Sequence, residues 1–178
     1  MNSRASNPLE SAHVTRKRFG QHFLLDRNIL QKIISASGKL DGVNIIEIGP
    51  GPGALTSELI RSPARHVTAI EIDDRMIPAL REIEAAAEGK FAVLHRDALE
   101  VDIAQVATSP RAIIANLPYN VATPLLIGWL KTVHRHGEEG IRSMTLMFQK
   151  EVAERLVATP STKDYGRLAI MTQWLNGA

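Results

Sequence analysis

A short apolar run that breaks into a glycine-rich loop constrains the fold more than any other part of this sequence. Residues 43–53 read VNIIEIGPGPG. The nearly continuous β-branched residues at its start predict a strand of a parallel sheet that is buried on both faces. Gly49, Gly51 and Gly53 then let the chain turn sharply and let a ligand approach the backbone. Because Ala54 to Ile60 repeats apolar residues at helical spacing, the segment predicts the first half of a nucleotide-binding βαβ unit.

The residues inside and before the loop indicate which ligand it holds. The glycine spacing also fits the relaxed dinucleotide fingerprint. However, Pro50 and Pro52 have no N–H to offer a pyrophosphate, and Glu47 adds negative charge. An acid at this position favours a cationic ligand without phosphate, and S-adenosylmethionine (SAM), with its sulfonium and ammonium, fits. The alternative is that Glu47 caps local backbone N–H groups and contacts no ligand.

Composition limits the class of protein. The chain has 178 residues with 44% hydrophobic composition, which is enough for one domain with one substantial core. It has no cysteine, which excludes disulfides and thiolate metal sites and is consistent with a reducing compartment. No apolar run approaches the roughly 20 residues of a membrane span. We therefore expect a cytoplasmic protein that binds neither membrane nor metal.

Positive charge is concentrated at the beginning of the chain. The net charge is +2, but residues 1–32 hold six basic and two acidic residues, a net of +4, so the rest carries −2. Arg16, Lys17 and Arg18 precede an apolar segment and are candidate contacts to RNA phosphates. Residues 1–15 are expected to be a basic flexible leader, and the alternative is that the three cations belong to the same solvated leader.

Four further segments predict strands, at residues 66–70, 91–95, 111–115 and 143–148. Helical patterns separate them, and one more helix is predicted before the first strand, between Asp26, a suitable N-cap, and Gly38. Strands that alternate with helices favour right-handed crossovers and a mainly parallel α/β sheet with helices on both faces. We expect this Rossmann-like architecture in a single domain that spans residues 16–178.

Capping and proline signals give the ends of two later helices. Asp73 or Asp74 is predicted to cap a helix through Ala87, in which Pro78 is tolerated only in the first turn.

A further helix is predicted from Thr123 and Pro124 through Val133, followed by helices at 149–158 and 166–175.

Acidic residues follow the second and third predicted strands. Glu71 ends the second strand, and Asp97 lies two residues beyond the third. Ligands of open α/β sheets bind at the carboxyl ends of the strands, where Glu71 can accept hydrogen bonds from a ribose and Asp97 from an adenine amino group. Each acid alone could be an ordinary turn residue, but their occurrence after successive strands favours a ligand.

The tetrapeptide Asn116-Leu117-Pro118-Tyr119 follows the fourth predicted strand. A residue before proline is restricted to extended geometry, so the carbonyls near Leu117 are held outward. Asn116 Oδ1 and the carbonyl of Leu117 or Pro118 can accept both N–H bonds of an adenine N6 amino group, and Tyr119 can stack on the base. The alternative is that Asn116 caps a turn and Tyr119 belongs to the core.

Several segments together resemble the KsgA (RsmA) family of small-subunit ribosomal RNA adenine dimethyltransferases. They are RKRFGQHFL at 16–24, EIGPGPGALT at 47–56, NLPYN at 116–120, QKEVAERL at 149–156 and YGRLA at 165–169. The resemblance implies a class I methyltransferase that transfers methyl groups from SAM to N6 of two adjacent adenosines near the 3′ end of 16S rRNA in immature small subunits. S-adenosylhomocysteine (SAH) is then the product.

The resemblance also implies a set of residues that line the SAM site, to which our interpretation of the loop adds Glu47 and Gly51. The implied residues are His22, Leu24, Gly49, Glu71, Asp97 and Asn116. The family often has Asn at the position of His22. Its members continue into two more strands and a helical RNA-contacting domain, so we expect a monomeric, C-terminally truncated catalytic domain.

Three other functions are compatible with parts of the sequence. A sister methyltransferase that modifies large-subunit rRNA would share most of these motifs. A dehydrogenase is disfavoured by the loop prolines, by Glu47 and by the NLPY tetrapeptide. A non-catalytic ribosome-assembly factor would not need Asn116.

Overall fold

The computed structural model describes residues 26–117 and 119–175 of the chain. The predicted site residues that lie outside this part are Arg16, Lys17, Arg18, His22, Leu24 and Pro118, and the side chain of Tyr119 is also outside it.

Within the described residues, five parallel strands form one sheet in the order β3-β2-β1-β4-β5. The strands are β1 Asn44–Ile48, β2 His66–Glu71, β3 Phe91–His95, β4 Arg111–Asn116 and β5 Ser143–Met147. The central strand β1 is buried along its whole length, as the sequence predicted. The predicted parallel α/β sheet is therefore confirmed.

Helices alternate with the strands. They are α1 Arg27–Ala36, α2 Ala54–Arg61, α3 Ile77–Ala86, α4 Ile103–Val106, α5 Tyr119–Gly140, α6 Lys150–Leu156 and α7 Arg167–Leu175, with a short 3₁₀ turn at Ala98–Glu100. The sequence did not predict α4 or the 3₁₀ turn. None of the helices described is both long enough and apolar enough to cross a bilayer.

The sheet has an apolar core on each face. On one face Ile45 packs with residues of α2 and α3, including Leu59 and Leu80. On the other face Ile46 packs with residues of α5, including Trp129. Each fully buried aliphatic side chain contributes about 1.5–3 kcal/mol to folding. The two cores therefore fix the central strands, and with them the ends at which ligands bind.

The two edges of the sheet differ. At β3 the backbone N–H of Val93 donates to Oε1 of Glu84, at 3.0 Å, so a side chain of α3 occupies part of that edge. Among the described residues, β5 pairs with β4 alone, and its side chains are half-buried. Within the described residues, β5 is therefore an edge strand of the sheet.

The predicted first helix is confirmed at its beginning. Asp26 accepts a hydrogen bond from the backbone N–H of Asn28 at 2.8 Å, which is the expected N-cap. Gly38 follows the helix with a φ of +72°, in the left-handed region that favours glycine.

The predicted cap of α3 is wrong. The helix begins at Ile77, and its N-cap residue is Met76 rather than Asp73 or Asp74. Asp73 instead stabilises the preceding turn, because its carboxylate accepts from the backbone and the guanidinium of Arg75. Asp74 lies 3.1 Å from the Nε2 atom of His95. The expectation of a proline in the first turn is confirmed.

The predicted beginning and end of α5 are also wrong. The helix begins at Tyr119, so Pro124 lies inside it rather than in its first turn. It continues past Val133 to Gly140, interrupted at Gly137, where φ is 55° and ψ is −142°.

Burial explains why α5 includes a proline. The residues of its buried stripe are Ala122, Leu125, Leu126, Trp129 and Leu130. A proline inside a helix costs about 3 kcal/mol, because it removes a hydrogen bond and crowds the preceding turn. Burial of several large side chains exceeds that cost, so tertiary packing overrides the local proline signal.

Candidate active site

The order of the strands defines a crevice between β1 and β4. From β1 the chain proceeds through β2 to β3 on one side, whereas β4 pairs with β1 on the other side. Open α/β sheets bind ligands at this reversal, outside the carboxyl ends of the strands. The glycine loop follows β1 and Asn116 ends β4, so both lie at the crevice.

Strand register brings three predicted site residues to one level. Ile48, the last residue of β1, pairs with the penultimate residues of β2 and β4. The next residues on these three chain segments are Gly49, Glu71 and Asn116. Three positions that are far apart in sequence therefore lie side by side at the carboxyl edge.

Glu71 ties the glycine loop to the end of β2. Its side chain is only 2% exposed. Oε2 accepts the backbone N–H of Gly51 at 3.1 Å, and Oε1 accepts those of Ile72 and Asp73 at 2.9 Å each. A carboxylate has about four acceptor sites, so these bonds leave room for about one more, on Oε2.

Asp97 caps the 3₁₀ turn that follows β3. Its Oδ1 atom accepts from the backbone N–H of Leu99 at 2.9 Å. Oδ2 takes no part in this cap. The turn interpretation of Asp97 is therefore correct for one oxygen, and a ligand contact requires only the other.

Two exposed apolar residues beside these acids were missed by the sequence interpretation. Ile72, which follows Glu71, is 57% exposed, and Leu99, two residues after Asp97, is 49% exposed. Both residues lie just beyond the carboxyl ends of β2 and β3, beside the two acids. The signal in the sequence was an aliphatic residue within two positions after each strand-end acid.

Glu47 is buried behind the loop. It is 1% exposed, and its Oε2 accepts a hydrogen bond from the hydroxyl of Thr56 at 2.7 Å. Burial raises the pKa of Glu47 to about 8, with the nearby carboxylate of Glu71 adding to the rise and the Thr56 bond opposing it. Glu47 is then mostly protonated at neutral pH, so its charge no longer argues against a pyrophosphate. The loop prolines still do.

The tetrapeptide joins β4 to α5. Asn116 is the half-buried last residue of the strand, and Tyr119 is the first residue of the helix. Leu117 is 8% exposed and packs in the core on the α5 side of the sheet. Its side chain therefore anchors the segment beside the crevice. The roles of these residues toward a substrate stay predictions.

A metal would need a cluster of ligands. In residues 26–117 and 119–175, no group of three or more His, Cys, Asp or Glu side chains is arranged to hold one.

Comparison with known proteins places the chain among ribosomal RNA methyltransferases. The family model described as "Ribosomal RNA adenine dimethylase" matches residues 12–176. A Paracoccus denitrificans protein named "Ribosomal RNA small subunit methyltransferase A" is 54% identical over 159 residues, which are 89% of this chain and 56% of that protein. A Rhodospirillum rubrum protein of the same name is 52% identical over 160 residues, or 90% and 54%. The chain spans about half the length of the curated relatives it matches.

Solved structures show the same fold. A dimethyladenosine transferase from Plasmodium falciparum has a TM-score of 0.67 and 33% identity, over 84% of this chain and 51% of that one. The 23S rRNA methyltransferase ErmE has a TM-score of 0.68 and 29% identity, over 86% and 57%. The predicted Rossmann-like class I methyltransferase fold is confirmed.

Proposed function

Since the chain belongs to the ribosomal RNA adenine dimethylase family, we propose that it binds SAM and methylates N6 of two adjacent adenosines near the 3′ end of 16S rRNA in immature small subunits. The observation that carries the proposal is the meeting of the glycine loop, Glu71 and Asn116 at the crevice between β1 and β4. Such a crevice is where folds of this kind bind a nucleotide-like ligand.

The cofactor half of the site lies along β1, β2 and β3. Oε2 of Glu71 accepts a hydrogen bond from a ribose hydroxyl, and Oδ2 of Asp97 accepts one from the adenine amino group. Ile72 and Leu99 offer exposed apolar surface beside the two acids, suited to the purine ring.

The loop residues Gly49 and Gly51 let the amino-acid part of the cofactor approach, and Glu47 lies behind them. His22 and Leu24 are proposed to complete this site.

The substrate half lies at the tetrapeptide. The lone pair of an adenine amino group is delocalised into the ring. Asn116 Oδ1 and a carbonyl of Leu117 or Pro118 localise it on N6 by accepting hydrogen bonds from both N–H groups. N6 then attacks the methyl carbon in line, the carbon–sulfur bond breaks with its electrons going to sulfur, and SAH leaves. The methylated amine is acidic enough to give its proton to water. Positioning of this kind can supply about 7–11 kcal/mol, and stacking on Tyr119 about 1–3 kcal/mol.

A binding experiment tests the cofactor site. We expect calorimetry to show that the chain binds SAH and that Asp97→Asn weakens binding at least about tenfold, since the amide nitrogen cannot accept from the adenine amino group. Asparagine is also a good cap, so the bond to the N–H of Leu99 is retained. Glu100→Gln, at an exposed acid of the same turn, is the matched control. Unchanged affinity in Asp97→Asn would move the adenine contact elsewhere.

Glu71 would be a poor residue with which to test the cofactor site. Glu71→Ala would remove the acceptor of three backbone N–H groups as well as the ribose contact. A weaker affinity in that variant would therefore not distinguish removal of the ribose contact from distortion of the loop.

A turnover experiment tests the substrate half. We expect Asn116→Ala to lose methyl transfer to small-subunit RNA while nearly retaining affinity for SAH, because its bonds strengthen in the transition state. Single-turnover assays with labelled SAM and excess enzyme detect slow transfer, and Thr123→Ala, at an exposed residue of α5, is the control. Normal transfer by Asn116→Ala would show that Asn116 is not needed to activate the adenine amino group, whereas no transfer by the wild type would favour a non-catalytic assembly factor.

Large-subunit RNA is the second candidate substrate. ErmE, a 23S rRNA methyltransferase, shares the fold at 29% identity, whereas the small-subunit enzymes reach 54%. The higher identity favours the small subunit. Methyl incorporation into 23S rather than 16S rRNA, with the two offered separately, would reverse this assignment.

A further inference from the structure

A buried hydrogen bond links the two sides of the glycine loop. Glu47 lies on β1 just before the loop, and Thr56 lies in the first turn of α2 just after it. The Thr56 hydroxyl donates to Glu47 Oε2 at 2.7 Å, and the two residues are 0% and 1% exposed, respectively. A hydrogen bond in a place from which water is excluded holds both partners firmly.

The surroundings of Glu47 otherwise disfavour its charge. The residues level with it on the neighbouring strands are Ala69 and Ile114, both apolar. In the part of the chain that the structure describes, the charged or hydrogen-bonding groups that act on it are the Glu71 carboxylate on β2 and the Thr56 hydroxyl on α2. Burial is the larger effect in raising the pKa of Glu47 to about 8, Glu71 adds to it, and Thr56 alone opposes it.

We propose that Thr56 is a positioning residue of the cofactor site that acts through Glu47. Its hydroxyl orients the carboxyl group behind the loop and favours the ionised form, which balances the ammonium group of SAM or SAH. This inference rests on the proposed function, because it requires that the loop bind this cofactor.

Cofactor binding should then release a proton. In the free protein at neutral pH, Glu47 is mostly protonated. A bound cation next to the carboxyl group favours the carboxylate, so the proton leaves for the solvent as the ligand enters. Affinity should therefore rise with pH up to about pH 8, by at most about tenfold per pH unit.

Thr56→Val removes the hydroxyl and keeps the shape of the side chain. The ionised, ligand-bound state loses a charge-assisted hydrogen bond, whereas the protonated free state loses less. We expect affinity for SAH at about pH 6.5 to fall about tenfold or more. The difference in affinity between the variant and the wild type should decrease toward about pH 9, where Glu47 is ionised before the ligand binds.

The experiment is calorimetry of SAH binding to the whole chain at about pH 6.5, 7.5 and 9, each in two buffers of different ionisation enthalpy. The buffer pair counts the protons released. Thr56→Ser should restore the wild-type pH profile, because it returns the hydroxyl. Ser57→Ala is the matched control, since the adjacent Ser57 hydroxyl donates to the carbonyl of Gly53 at 2.9 Å rather than to Glu47.

The possible results separate the two proposals. If wild-type protein does not bind SAH, the proposed function fails and this inference fails with it. If it binds, then no proton release, an unaffected Thr56→Val, or an equal loss of affinity at every pH would overturn the role of Thr56 alone. The ammonium of SAH also titrates, but it does so equally for every variant. If Thr56→Val does not fold, Thr56→Ala replaces it, with the same pH-dependent loss of affinity expected, because this variant also lacks the hydroxyl.

Discussion

The three acids at the site show how far a residue's role can be predicted from the sequence. Glu71 and Asp97 follow successive predicted strands, which predicted that both lie at the carboxyl edge of the sheet, and the register places Glu71 there, level with Gly49. Their hydrogen bonds could not be predicted, because folding supplies the partners. Gly51 lies 20 positions from Glu71, and the hydroxyl bound to Glu47 comes from the helix beyond the loop. As a result, one acid organises the loop, one caps a turn, and Glu47 is buried with a raised pKa.

The raised pKa of Glu47 predicts how stability depends on pH. Between its ordinary pKa of 4.5 and the native value of about 8, the folded chain holds a proton that the unfolded chain has released. The contribution of this group to the free energy of unfolding therefore falls as pH rises through that range. Glu47→Gln removes the titration and keeps an oxygen for Thr56. We expect the free energy of unfolding of the variant, relative to that of the wild type, to increase as pH rises, by up to about 5 kcal/mol near pH 8.

Urea denaturation at a series of pH values measures this difference. Glu82→Gln, at an exposed acid of α3, is the control and should follow the wild-type curve. Parallel curves for the wild type and Glu47→Gln would contradict the burial of an uncharged carboxyl group at this position.

At the scale of elements, a helix end was predicted correctly where residues adjacent to it in the sequence determine it. The cap at Asp26 was predicted correctly because the residue bonds to its own first turn. The beginning of α5 was not, because a buried stripe that extends back before Pro124 determines it. The predicted cap of α3 was wrong for a related reason, since the carboxylate of Asp73 pairs with Arg75 in a separate turn.

The junction between the glycine loop and α2 gives a prediction about backbone strain. Gly53 has a φ of +87°, and an added Cβ would lie 2.4 Å from Cδ1 of Ile83 in α3. We expect Gly53→Ala to lower the free energy of unfolding by at least about 1–2 kcal/mol. Gly128→Ala is the matched control, because Gly128 is in helix α5 with nothing within 4 Å of an added Cβ. It should instead stabilise the protein by about 0.5–1 kcal/mol.

A double variant separates the two sources of strain at Gly53. Ile83→Val removes the Cδ1 atom, so it should recover the steric part of the destabilisation and leave the backbone part. If the effects of Gly53→Ala and Ile83→Val simply add in denaturation experiments, the contact with Ile83 is not a cause of the destabilisation.

At the scale of the whole molecule, the charge is unevenly distributed. Residues 1–32 carry a net of +4 and the rest of the chain −2. Arg16, Lys17 and Arg18 lie outside the described residues, so their contact with RNA stays a prediction. This contact depends on the sequence alone, as do the roles proposed for His22, Leu24 and Pro118.

Salt dependence of RNA binding tests this basic cluster. Replacing Arg16, Lys17 and Arg18 with Gln should weaken binding and lower the slope of log affinity against log salt by about 0.7–0.9 for each phosphate that the variant no longer neutralises. The matched control neutralises Lys131, Arg135 and Arg142, which are exposed and lie toward the amino ends of the strands. An equal change of slope in both triple variants would show that the attraction is not localised.

The unequal edges of the sheet have a consequence for how such a domain can be elaborated. A strand that approached β3 would have to displace Glu84 from the N–H of Val93, whereas no strand of the described residues pairs with the outer edge of β5. Growth of the sheet is therefore directed to one side. That side adjoins β4 and Asn116, while the opposite side adjoins Asp97. Additions at the free edge can reshape what the domain recognises in RNA and leave the half that holds its methyl donor as it was.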